Sequence, residues 1–90
     1  MREIRRGIWE TTGLFSEPAG PGWLAVTCNS ARMAEWLCMA IGRENVEAKW
    51  DGAALLVPAC ESFTLENEVK SVITVVAKTA HYWDEHVVGL

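Results

Sequence analysis

The C-terminal stretch TLENEVKSVITVVAKTAHYWDEHVV, residues 64–88, decides the fold class. Its apolar residues Leu65, Val69, Val72, Ile73, Val76, Ala80, Trp83 and Val87 recur three and four apart, which lays them along one stripe of a helix. Ser62 or Thr64 suits the N-cap, Glu66 and Glu68 complement the positive end of the helix dipole, and Gly89 suits the stop. Ser71 to Ala77 alone is β-branched enough to read as a strand, but the caps and the stripe agree on a helix. At ~1.5 Å per residue that helix is roughly 36 Å long, whereas a compact chain of this length is only about 30 Å across. The helix is therefore expected to overhang, or to lie against a second copy or another partner.

Upstream of the helix, Val46-Glu-Ala-Lys-Trp50 alternates, Asp51-Gly52 is a two-residue turn signal, and Ala53 to Val57 returns before Pro58. This pattern predicts a β-hairpin that pairs Trp50 with Ala53, Ala48 with Leu55 and Val46 with Val57, all six facing the core. Further back, Trp23 to Cys28 reads as a central strand, apolar on both faces. Asn29 or Ser30 then caps a helix running to about Ile41, with Met33, Ala34, Trp36, Leu37, Ala40 and Ile41 inward and Gly42 as its left-handed stop.

The order β-α-β-β-α predicts an α+β two-layer sandwich: a small antiparallel or mixed sheet with two helices on one face. Ile8 to Thr12 suit an additional N-terminal strand, although residues 1–15 leave that open. Residues 1–7 read as a flexible lead and 16–22 as a Gly/Pro loop. No internal repeat stands out. Ninety residues, half of them hydrophobic, make one domain spanning 1–90.

Composition narrows the functional classes. The net charge is −4, and the basic residues are scattered apart from Arg2, Arg5 and Arg6. That balance argues against nucleic acid, whose phosphates need a basic face. No apolar run is long enough for a membrane span, and Glu10, Thr11 and Thr12 interrupt the apolar run of a signal peptide. Three widely spaced cysteines, Cys28, Cys38 and Cys60, fit reduced thiols in the cytoplasm.

Four constellations are candidate sites. Cys28 lies between a strand and a helix N-terminus, where a dipole can lower a thiol pKa, yet no second Cys follows in a CxxC. His81 and Glu85 share a helix face at a spacing that can hold two ligands of a metal ion; His86 lies too far around to join them. Trp9 and Trp23 flank the Gly/Pro loop and suit a flat or cationic ligand, while Trp36, Trp50 and Trp83 fall on predicted core faces. Val75 and Tyr82, two turns apart and off the main stripe, suggest with His86 a second helix face for contact outside the monomer. The sequence points first to a small non-catalytic binding or interaction module, without a cofactor, acting as a homo-oligomer or accessory subunit. A small-molecule or metal-binding sensor is the alternative, and a thiol-dependent redox protein the third reading.

Overall fold

The structure, a computed structural model, describes residues 2–59 and 65–88, without the side chains of residues 65 and 66. The fold is α+β, with three α-helices and a four-stranded antiparallel sheet among the described residues. In order, the elements are α1 (Arg2–Thr12), β1 (Ser16–Pro18), β2 (Trp23–Thr27), α2 (Ala31–Gly42), β3 (Lys49–Asp51), β4 (Ala54–Pro58) and α3 (Lys70–Val88), which a π-helical turn at Leu65–Val69 precedes. The sheet order is β1-β2-β4-β3. Two α-β-β units thus follow one another and meet at the β2–β4 pair, before the long helix is added.

The N-terminus departs most from the sequence reading. Residues 2–12 form a helix, neither a strand nor a flexible lead. Ile4 and Ile8, one turn apart, are fully buried against the sheet and α3. Thr12 is accommodated by its hydroxyl donating to the Ile8 carbonyl at 2.6 Å. The helix stops at Gly13, whose φ of +73° is open to glycine at little cost and whose N–H donates to the Trp9 carbonyl at 2.9 Å. The Gly/Pro segment is also partly structured: Ser16–Pro18 pairs with β2, Ser16 opposite Val26 and Pro18 opposite Leu24. Proline fits there because β1 is an edge strand, where a missing N–H leaves no ladder partner unsatisfied.

Ser30 caps α2 as the sequence suggests, its Oγ accepting from the Met33 N–H at 3.1 Å. Gly42, however, stays inside the helix. The left-handed residue is Asn45, at φ +64°, and its N–H donates to the Gly42 carbonyl. Asparagine adopts that region more readily than other side-chain-bearing residues.

The hairpin forms with its register moved by two. Asp51 pairs with Ala54 and Trp50 with Leu55, so the two turn residues are Gly52 and Ala53. Gly52 has φ +58° and Ala53 does not share a positive φ, as in a type II′ turn. A shift of two keeps the paired residues on their predicted faces, although β3 is only Lys49–Asp51, so the predicted pairs at Val46 and Ala48 do not form. Leu55 and Val57 are accordingly buried, and Ala48 and Val46 partly so. Ala53 lies in the turn and Trp50, on the short edge strand, remains 43% exposed.

One core joins Leu24, Val26, Leu55 and Val57 of the sheet to Ile4 and Ile8 of α1, Met33, Leu37 and Ile41 of α2, and Val69, Val72 and Val76 of the C-terminal helical segment. Burying a side chain of this kind contributes about 1.5–3 kcal/mol. Three helices, rather than the expected two, supply it. Val75 also belongs to the core at 6% exposure, which corrects its placement on an outward second face. The molecule is elongated, 40 × 23 × 23 Å, and residues 84–88 at the end of α3 are all exposed, in keeping with the expected overhang. The cap at Ser62 or Thr64, the stop at Gly89 and the thiol of Cys60 lie outside the described residues.

Candidate functional site

Of the residues that the sequence groups, the structure brings His81 and Glu85 together and separates Val75 from Tyr82 by burial. Cys28 follows β2 and turns inward, 5% exposed. Burial pushes its thiol up to about 11, so it is protonated at neutral pH and a poor nucleophile. The nearby helix N-terminus does not offset this, because the side chain lies in the core.

His81 and Glu85 do meet on α3, Nε2 to Oε1 at 2.7 Å, both well exposed. They bind each other, and no group of three or more His, Cys, Asp or Glu suited to a metal occurs among the described residues. His86 stacks on Trp36 with ring centroids 5.5 Å apart, and Trp83 lies 5.6 Å from the same indole. This aromatic group fastens the end of α3 to α2. Tyr82 is 48% exposed and lines a shallow hollow with Trp36, Ala40 and Arg43. Of the suggested second helix face, Val75 is core and His86 is held by Trp36, leaving Tyr82 outward.

Trp9 and Trp23 do not share a pocket. Trp23 is on β2, out of phase with the buried Leu24 and Val26, and the Lys49 Nζ sits 4.5 Å from its ring centroid. This cation–π contact crosses from β3 over β4 to β2. Around it lie the other strand residues out of phase with the core: Ala25, Ala54, Leu56 and Pro58 are half-buried, and Glu17, Thr27 and Asp51 are exposed. The register aligns Glu17, Ala25, Leu56 and Lys49 in one row across the four strands. A largely apolar sheet face results, with an acid from one edge strand and a base from the other.

Trp9 instead lies on α1, where Arg2, Arg5, Arg6 and Trp9 fall at i, i+3, i+4 and i+7, a single stripe. They border a hollow of about 320 Å³ between α1 and β1, completed by Leu14, Phe15 and Ser16. Arg5 Nε donates to the Ser16 carbonyl at 2.9 Å, and Arg6 pairs with Glu10 at 2.9 Å. Trp9 and Phe15 stack with centroids 4.8 Å apart and planes 26° apart, yet remain 50% and 72% exposed. The Ser16 hydroxyl is buried with no hydrogen-bond partner.

The sequence alone reads Arg2, Arg5 and Arg6 as part of a flexible lead and does not single out Phe15, Ser16, Lys49 or Leu56. The signal it contained was the i, i+3, i+4, i+7 spacing of Arg2 to Trp9, visible only once residues 2–12 are known to be helical. No known protein family, curated protein or solved structure matches this chain. No described helix is long and apolar enough to cross a membrane.

Proposed function

We propose that the protein is a small non-catalytic binding module that associates as a homodimer through the outer face of its sheet. The observation that carries this reading is the row Glu17–Ala25–Leu56–Lys49, which is self-complementary. Consider a two-fold axis lying in the interface along the strands and passing between β2 and β4. It brings Glu17 of each copy opposite Lys49 of the other and stacks the apolar centres. An isologous contact needs a patch of this kind, complementary to itself. Trp23 and Pro58, neighbours in the next row, are exchanged by the same axis, and an indole is a common interface anchor.

The face is small. Four strands about 4.8 Å apart and five residues of about 3.3 Å each cover roughly 300–400 Å², well below the ~800 Å² per partner of a standard interface. The dimer is therefore weak and concentration-dependent.

Sedimentation equilibrium over roughly 10–500 µM, a range matched to a micromolar Kd, tests the proposal. The mass should rise from 10.0 kDa towards twice that value, and Leu56→Asp should hold it at the monomer. A wild-type chain that stays monomeric throughout, or a Leu56→Asp chain that dimerises equally well, removes it.

A further inference from the structure

The geometry points to a second site, in the hollow between α1 and β1, for a small molecule that carries both a flat ring and an oxyanion. It is independent of the dimer, because its residues belong to α1, to the α1–β1 junction and, at Ser16, to the core-facing side of β1, whereas the Glu17–Lys49 row lies on the other face of the sheet.

Three observations converge on that chemistry. The first is charge. Three of the eight Lys and Arg of an acidic chain line this hollow. Arg6 is engaged by Glu10, but Arg2 and Arg5 have no acidic partner among the described residues. Through its Nε, Arg5 is held against the Ser16 carbonyl, which orients the rest of its guanidinium fork without using up its donors. An oriented fork suits a carboxylate or phosphate, which it can grip through two parallel N–H bonds.

The second observation is the Trp9–Phe15 stack at the rim. Two large rings this exposed contribute little to the core, and they present a flat apolar surface beside the arginines. A ligand ring laid on such a surface gains about 1–3 kcal/mol by stacking, as bases do on aromatic side chains. The third is Ser16, a residue that borders the hollow and whose buried hydroxyl has no partner. A lone buried hydroxyl is costly, and rotation of this side chain towards an occupant of the hollow would satisfy it.

Size limits the occupant. At about 320 Å³ the hollow is at the lower end of ligand pockets, which run from about 300 to 1,000 Å³. It suits one ring with one anionic group, as in a mononucleotide or an aromatic carboxylate, and not a polymer.

The test is a ¹H–¹⁵N titration of the full chain, following the Trp9 indole N–H, assigned through Trp9→Phe, and the Arg5 Nε–H. The probes are adenosine monophosphate, adenosine, inorganic phosphate and benzoate. Adenosine monophosphate or benzoate should shift both resonances saturably, at least tenfold more tightly than adenosine or phosphate alone. Whichever of the two binds more tightly identifies the anion as phosphate or carboxylate. Arg2→Gln and Arg5→Gln should each weaken binding about tenfold; among the described residues the side-chain hydrogen bond from α1 to β1 is Arg5's, so the Arg2 variant reads the site even if Arg5→Gln loosens the fold. If neither ring-bearing anion shifts Trp9, if phosphate binds as well as adenosine monophosphate, or if both Arg variants bind unchanged, the proposal is wrong.

Discussion

Gly7 on α1 faces Ile73 on α3 so closely that a methyl group at residue 7 would lie 2.3 Å from Ile73 Cδ1 and 2.8 Å from its Cγ1. The two helices meet through an absent side chain. Gly7→Ala gains about 1 kcal/mol of helix propensity but overpacks this contact, at a cost of about 1–3 kcal/mol. Ile73 is β-branched, with few rotamers through which to withdraw. The net effect should be destabilising. In an Ile73→Ala background the obstacle is gone, and the same Gly7→Ala change should stabilise. Urea denaturation of the four proteins checks the reversal of sign; a Gly7→Ala effect that is equal in both backgrounds would mean the contact is not restrictive.

Cys28 gives the fold a pH dependence on the alkaline side. Its thiol is raised by burial from 9.0 to about 11, so between these values the folded chain holds a proton that the unfolded chain releases. Stability therefore is fully present below about pH 9 and falls as pH rises through 11. Cys28→Ala should lower stability at pH 8 and flatten this decline, compared by urea midpoints at pH 8 and 10.5. In wild type, iodoacetamide should label Cys28 at pH 7 more slowly than a free thiol, and at a free-thiol rate once urea unfolds the chain.

Val75 and Tyr82, which the sequence placed on one face, should behave oppositely. Val75→Asp puts a charge in the core beside Val72 and Val76, and should cost more than about 3 kcal/mol or prevent folding. Tyr82→Asp alters an exposed position and should change stability by about 0.5 kcal/mol or less. Thermal unfolding followed by circular dichroism separates the two outcomes.

The sheet face makes a charge-exchange prediction. Glu17→Lys and Lys49→Glu each place like charges opposite one another across the proposed two-fold axis, and each should weaken the dimer. The double variant restores opposite signs and should recover association, minus the Lys49–Trp23 contact. Sedimentation at low salt is the sensitive condition, since exposed pairs are screened over about 10 Å at 0.1 M. Failure of the double variant to recover would place the contact elsewhere.

The elements that announced themselves in the sequence are those whose signals are local. The stripe of Val69 to Trp83, the alternation of Val46 to Trp50 and the Ser30 cap each act within a few residues. Helix α1 was obscured because only Ile4 and Ile8 are core residues, and the β-branched and aromatic residues beside Ile8 resemble a strand. Ser16-Glu17-Pro18 has almost no strand propensity; it is extended because β2 offers it a ladder, a fact about partners distant in the chain. The hairpin was readable but its register was not, since Asp51-Gly52-Ala53 contains two possible two-residue turns. The same limit governs the site. Trp9 stands out in the sequence as an aromatic, but its arginine neighbours become neighbours only on a helix, and Ser16 acquires its unpaired hydroxyl only by burial in the fold.

Both outer strands of the sheet are three residues long, Ser16–Pro18 on one side and Lys49–Asp51 on the other. One ends in a proline that cannot donate, and the other is bracketed by charged side chains. Such borders give an incoming extended chain little backbone to zip onto. Crowding the protein should consequently produce reversible pairs before it produces fibrils, and the central strands β2 and β4, the most β-prone segments of the chain, are shielded from amyloid-like stacking for as long as the edges hold.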